Sequence, residues 1–547
     1  MGSSTDLSRI WSSPVPGAPP RAPRGDGRAR SGRRSDLRTL ARGGSLSLVG
    51  TIVNSLLGFV VVVVITRGQG ARGAGILFEA IALFTILSNT AELGADTGLV
   101  RMIPRHRATD RSQDVPRTLS VAIWPVLLAS TAIAAAVFVF APQLARVFIH
   151  GANRELGEQD IRLLAPFLPA GTAITVVLAG TRGFGTMVPY VTVYNLAVPV
   201  LRPVLVGLAL LAGLGTAAVA VAWAAPLAAG FLASIVILGF MVRRMERSAG
   251  FRDLAPPRSA GALASEFWRF SAPRGLAGFF QITMVWVGIL MVGALGTTRD
   301  AGIFAAVTRY VMVGTFAIAA VGLAIGPQIS DLMARNSHDR AESVFQTATW
   351  WLMAISWPLY LALAVFAPLL LRVFGREFVS GDTALLILAF GMLVYIGTGN
   401  NKIVLLMGGK SGWNLAISAT VLVTNLVLNI LLIPHLGVNG AAWSFTASIV
   451  LDNVATTLVV LFALHLQPFG RGYLVVALAS VACFAGGGLA VRFALGMSIK
   501  TFALYAAGAS VVYAAILWRF RERLHLSVLR DAVRMRGRDR GEQVAIA

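Results

Sequence analysis

Residues 46–66 read LSLVGTIVNSLLGFVVVVVIT, an uninterrupted run without one ionisable side chain. A helix needs about twenty mainly apolar residues to cross the roughly 30 Å hydrocarbon layer of a bilayer, so this stretch predicts a spanning helix. Working outward, about fourteen runs of this kind follow one another to Trp518 with short polar joints between them, Ala217 to Val242 and Leu474 to Val491 among the clearest. The expected helices are 44–66, 74–95, 118–141, 162–182, 189–213, 217–242, 268–295, 302–327, 344–370, 383–407, 413–433, 438–465, 472–495 and 501–519. With 56% hydrophobic and only 13% charged residues and a mean hydropathy of +0.73, the chain is read as an all-α polytopic membrane protein.

A net charge of +22 would suggest nucleic acid in a soluble protein, but here its placement decides. Arginines crowd both ends, from Arg21 to Arg42 and from Arg519 to Arg540. Arg101, Arg105, Arg107, Arg111 and Arg117 follow the second helix, and Arg243, Arg244, Arg247, Arg252 and Arg258 fill the central joint, whereas 212–216 carries none. Positive residues in short flanking segments stay inside. Both termini are therefore expected to be cytoplasmic in the cell membrane, with anionic lipid headgroups rather than nucleic acid as the partner of the tails. The expected organisation is a disordered basic tail (1–43), a six-helix lobe (44–242), a cytoplasmic linker (243–266), a second six-helix lobe (267–466), an additional helix pair (467–519) and a basic tail (520–547). The first segment lacks the apolar core of a signal peptide. The one cysteine, Cys483, excludes an intramolecular disulfide and a cysteine metal cluster.

The two lobes repeat each other weakly. ITRGQGARGAGILFEAIALF (65–84) aligns with GALGTTRDAGIFAAVTRYVM (293–312), placing Gly75 opposite Gly302 and, further on, Arg101 opposite Gln328. TRGFGTMVPYVTVYNL (181–196) and LLMGGKSGWNLAISAT (405–420) form a second correspondence, and both lobes end on Leu-Gly, small residues and a Trp, at Trp223 and Trp443. Parallel repeats of this kind put a substrate site at the interface between halves. The small-residue runs GVNGAA (437–442) and AGGGL (485–489) permit close helix approach, and Pro199 and Pro203 are expected to kink the fifth helix.

Five motifs carry a family resemblance: GILF (75–78), GADTGLVRMIP (94–104), TRGFG (181–185), VFGREF (373–378) and NILLIPHLGVNGAA (429–442). In this order and spacing the chain resembles the polysaccharide and lipid-linked oligosaccharide flippases. These are the Wzx-like family of the multidrug/oligosaccharidyl-lipid/polysaccharide exporter superfamily. The resemblance covers roughly Ala41 to Leu466, the last two helices being an added pair known in some members. It implies a V-shaped pair of lobes in alternating access, carrying a polyprenyl-diphosphate-linked glycan for the cell envelope. A polysaccharide polymerase or other envelope-assembly protein is an implied partner.

Ionisable residues inside spanning helices usually face a cavity or a partner. Arg202 in the middle of helix five and Arg309 a third of the way into helix eight are the leading substrate-binding candidates, with Arg274 and Arg42 at the starts of helices seven and one. Arginine suits a diphosphate because its planar fork holds two oxygens and stays charged; at a helix end it equally reaches back to the interface. Asp452, beside Asn453, is read either as a site for a coupling H+ or Na+ or as a salt bridge to an intramembrane arginine holding the lobes in register. Glu79 is the second such acid, and Glu92 and Asp96 end the same helix. Asn54, Asn195, Asn425 and Asn429 offer sugar ligands or interhelical bonds.

The rival readings are a cation-coupled multidrug exporter, which would favour acidic cavity residues, a lipid-linked peptidoglycan-precursor flippase, and a non-transporting scaffold of a glycan-assembly complex. An enzyme is not expected. There is no HExxH, phosphate-binding glycine loop or Cys/His cluster. The longest outer joint, 142–161, is short, and its His150, Glu155, Glu158 and Asp160 read as a solvated turn. No cofactor or metal is expected beyond a coupling ion.

Overall fold

The computed structural model describes the backbone of residues 26–149, 154–249, 258–470 and 472–521, with side chains from Leu46 onward except at 248, 249, 323, 324 and 411. The Arg42 side chain and most of both tails thus lie outside the described residues. Every regular element among the described residues is helical, as a bilayer demands of a chain whose backbone groups have no water to bond.

The first lobe opens with α1 (Asp26–Ala91), followed by α2 (Ala95–Ala108), α3 (Asp114–Val139), α4 (Ala141–Phe148), α5 (Arg154–Leu164) and α6 (Leu168–Gly183). A π-helical turn (Tyr190–Ala197) then leads into α7 (Val198–Leu211), and α8 (Thr216–Ala249) completes the lobe. The second lobe holds α9 (Ala260–Leu295), α10 (Thr298–Val313), α11 (Thr315–Ala334), α12 (His338–Val365), α13 (Ala367–Leu371), α14 (Asp382–Gly397), α15 (Asn401–Met407), α16 (Ser411–Leu436) and α17 (Val438–Leu464). Finally α18 (Tyr473–Ser480) and α19 (Gly487–Leu495) pack on α12, and α20 (Ile499–Arg519) packs on both of them.

Among the described residues thirteen helices are long and apolar enough to cross a membrane, and the first, Leu46–Ala108, has 63 residues. At about 1.5 Å per residue that run would be roughly three bilayers long. It breaks at Gly70, whose φ of 68° and ψ of −177° no helix contains, so α1 supplies two of the expected spans. Other expected helices break where glycine sits. The run 383–407 divides into α14 and α15 at Gly399, φ 69°. The run 302–327 divides at Gly314, where the Tyr360 hydroxyl donates to the Val311 carbonyl and accepts from the Gly314 N–H. Helix also continues through much of the expected linker 243–266, since α8 reaches Ala249 and α9 starts at Ala260.

The lobes meet through backbone. Gly75 and Gly302, equivalent in the sequence repeat, lie against each other: a Cβ on Gly75 would strike the Thr298 carbonyl, and one on Gly302 would strike the Ala71 carbonyl, each four residues before the opposite glycine. At this Gly70 end Arg67 donates to the Val373 and Arg372 carbonyls, both at 2.8 Å, and the Ala71 N–H donates to Glu377 Oε2 at 3.2 Å. A second crossing lies at the other end of the spans. There Gly94, φ 74°, leaves no space for a side chain against Ser271 and Gly275 of α9. The start of α9 is tied to the first lobe by Glu266, which accepts from Arg105 and Arg258, and by Asp114, which accepts from the Arg258 N–H at 3.0 Å.

Gly75→Val should therefore cost more than the about 1–3 kcal/mol of ordinary overpacking, because a carbonyl rather than a side chain must move. Gly239→Ala, whose added methyl meets nothing within 4 Å, should leave thermal stability in detergent essentially unchanged. Equal melting temperatures for both variants would contradict the crossing.

Candidate functional site

Between the two glycine crossings lies a cavity of about 800 Å³. Both legs of α1 line it, Ile52 to Val62 on one side and Phe78 to Glu92 on the other, which confirms that α1 folds back on itself at Gly70. Its walls come from both lobes: α7 and α8 contribute Arg202 and Trp223, α9 contributes Trp286, and α10 contributes Arg309 and Tyr310.

The two arginines reach this cavity by different local devices. Arg202 stands one turn beyond the π-helical segment Tyr190–Ala197. A π-turn widens the helix by one residue and so resets the faces that follow it. The Arg202 Nε donates to the Trp223 carbonyl at 3.1 Å and its guanidinium carbon lies 4.2 Å from the Trp223 ring. Arg309 precedes the Gly314 break and stands 5.0 Å from the Trp286 ring, with its buried Nε unbonded. Neither forms a salt bridge among the described residues. A ring face holds a guanidinium without neutralising it, so both positive charges stay available to an anion.

A polar stripe faces them. Thr85, Ser88, Asn89 and Glu92 recur at helical spacing on the second leg of α1 and all line the cavity. That spacing is visible in the sequence, where Glu92 is noted but the stripe is not. Ser88 and Thr172 hydroxyls pair at 3.2 Å, and Asn89 bonds its own helix. Asp96, just beyond Glu92, lies 4.0 Å from Arg182, which also covers the Tyr190 ring.

Several candidates lie elsewhere. Arg274 is exposed, bonds the Phe270 carbonyl one turn back and shares the Phe270 ring with Arg101, so it belongs to the lobe contact and not to the cavity. The Arg42 side chain is outside the described residues. Asp452 is paired, but with Lys402 rather than an arginine: Nζ to Oδ2 is 2.6 Å, and both residues belong to the second lobe, so the pair does not bridge the lobes. Sequence reasoning missed Lys402 because it stands in the first turn after the Gly399 break, inside what reads as a continuous helix. Around it Asn401 donates to the Asn453 carbonyl and Thr457, and Thr398 donates to Asn453. Glu79 is 1% exposed and neither carboxyl oxygen has a partner. Of the asparagines, Asn54 lines the cavity, Asn195 is buried in the first lobe, and Asn429, Asn425 and Ser448 form an interhelical chain.

The chain matches the family model described as polysaccharide biosynthesis protein over residues 40–333, more than half its length and including Arg202 and Arg309. It belongs to the polysaccharide biosynthesis protein family. A second model, MatE, matches residues 273–431. The probable low-salt glycan biosynthesis flippase Agl15 of Haloferax volcanii is 28% identical over 192 residues, 34% of this chain; the match spans 39% of that relative's length. Among solved structures, the Lipid II flippase MurJ in an inward closed conformation superposes with a TM-score of 0.68 at 13% identity, covering 87% of this chain and 98% of that one. An inward-facing multidrug resistance MATE family transporter gives 0.59 at 16% identity, covering 78% and 95%. At such identities the likeness is one of fold alone, a polytopic helical bundle. Within this family member, the polar core of the second lobe is a buried ion pair and the cavity charges are not.

Removing one partner of a buried pair strands the other charge. Lys402→Met should cost toward the lower part of the about 3–5 kcal/mol typical of that loss, since the Lys402 side chain is 36% exposed. Adding Asp452→Asn should restore most of it. A double-mutant cycle on thermal unfolding reads the coupling directly, and additive losses would contradict it.

Proposed function

We propose that this protein is a flippase that moves a polyprenyl-diphosphate-linked oligosaccharide, or a related cell-envelope glycan precursor, across the cytoplasmic membrane by alternating access. The observation that carries the reading is the pair of un-neutralised guanidiniums, one from each lobe, on one cavity. A diphosphate bridging Arg202 and Arg309 would be gripped by both lobes at once, and its charge would be met where water is scarce. Hydroxyl, amide and aromatic groups around them suit sugar rings, whose faces are apolar and whose edges bond. The cavity volume falls in the usual range for small-molecule sites.

The arginine-rich tails support a cytoplasmic position for both termini. The Gly94 crossing is then the inner end and the Gly70 crossing the outer end. In this reading the structure is a state sealed at both glycine crossings, and transport parts one crossing while the other holds. The family match and the glycan-biosynthesis relative support the cargo class. One observation favours a second reading: Glu92 in the same cavity is the acid a multidrug exporter would turn toward an organic cation.

Depletion of the protein should accumulate intact lipid-linked glycan on the cytoplasmic face, inaccessible to a membrane-impermeant sugar-modifying reagent, and the accumulated lipid names the cargo. Arg202→Ala and Arg309→Ala should reproduce that accumulation at normal membrane abundance. Normal export by both variants would remove the arginines from the site. Unchanged glycan pools with new sensitivity to toxic cations would move the reading to drug export.

A further inference from the structure

We infer that Glu79 is a proton-binding site that seals the outer crossing of the lobes, protonated when the crossing is shut and ionised when it parts. The site lies one turn from Gly75 on the second leg of α1, directly beneath the Gly75–Gly302 contact. Its carboxyl occupies the space left by the missing side chain of Gly293 on α9, where an added methyl would overlap it. The Phe148 carbonyl of α4 adjoins the same slot. The side chain is 1% exposed and both oxygens lack a hydrogen-bond partner.

The charged groups on the packed elements do not compensate it. α4 carries Arg146, α5 carries Arg154, Glu155, Glu158, Asp160 and Arg162, α10 carries Arg299, Asp300 and Arg309, and α9 has none after Arg274. Arg67 is spent on the Val373 and Arg372 carbonyls, Asp300 on Thr297, Arg162 on Glu158 and Arg309 on the Trp286 ring. Among the described residues none of these, nor Arg72, forms a hydrogen bond or salt bridge with Glu79. An ionised carboxylate in such a slot meets only burial and a carbonyl that repels it. The carboxylic acid form is uncharged, and it can donate where a carboxylate can only accept.

Opening the outer crossing separates α1 from α9 and α10 and hydrates Glu79, which then loses its proton. The sign follows: external acid favours the shut state, and rising pH favours opening. The device rests on the alternating-access reading above. It requires no new bond chemistry, only exchange of one proton between the carboxyl and outer water.

The test is a distance measurement by electron paramagnetic resonance on the full chain in nanodiscs. Spin labels replace Leu214 and Leu436, exposed residues at the outer ends of the two lobes, with Cys483→Ser to remove the native thiol. With Glu79 intact, the long-distance population should rise with pH along a one-proton curve. Glu79→Gln, a permanent mimic of the neutral form, should stay at the short distance at every pH. Distances that ignore pH while still lengthening with cargo or lipid would overturn the proton site and leave transport standing. Labels that never separate would overturn both. A pH response kept in Glu79→Gln but abolished by His150→Ala would assign the titration to histidine and overturn the proposal.

Discussion

The contact of Gly75 with Gly302 is the constraint on which the rest of this architecture depends. Two helices from different lobes cross there with backbone against backbone, so that the carbonyls of Thr298 and Ala71 occupy the volume other residues would give to side chains. Lipid provides no hydrophobic drive for helices to associate, and close approach at small residues supplies contact in its place. A seam made of backbone has few interdigitated side chains to disengage. The same economy recurs where Gly94 meets Gly275. The cavity exists because the helices diverge between these two pinch points.

Much of this was legible before any coordinates. Length and apolarity located the spans, including both legs of α1, because the bilayer imposes one length on every crossing. The repeat identified Gly75 and Gly302 as equivalents, although equivalence alone did not say that they touch. Arg202 and Arg309 were found by depth, since a charge in mid-helix needs an explanation. What escaped was the set of relationships between distant segments. Asp452 needed Lys402, which only the break at Gly399 swings into place. Arg274, read at a helix start as either a substrate ligand or an interfacial arginine, is turned outward beside Phe270. Glu79 gave no sign that the residue facing it would be a glycine 214 positions on.

The polar groups of the two lobes obey different rules. In the second lobe, Thr398, Asn401, Asn453 and Thr457 bond one another, and Lys402 pairs with Asp452 beside them. Buried polar groups bonded to one another in this way rigidify a core. Around the cavity the pattern inverts, with the Arg309 Nε unbonded and two guanidiniums resting on indole rings. A charged group that is buried, unbonded and facing a cavity is open to a partner from outside.

Resting a guanidinium on an indole instead of a carboxylate has an electrical consequence. Paired with an acid, Arg202 or Arg309 would be a dipole, nearly invisible to the membrane voltage. Held by Trp223 and Trp286, each remains a whole charge within the field, where an elementary charge crossing the full potential changes energy by about 2.3 kcal/mol per 100 mV. Any movement of the lobes that shifts these two side chains along the membrane normal is therefore weighted by voltage. An anion seated between them would cancel that weight, so that an empty and an occupied form would respond differently to the same potential.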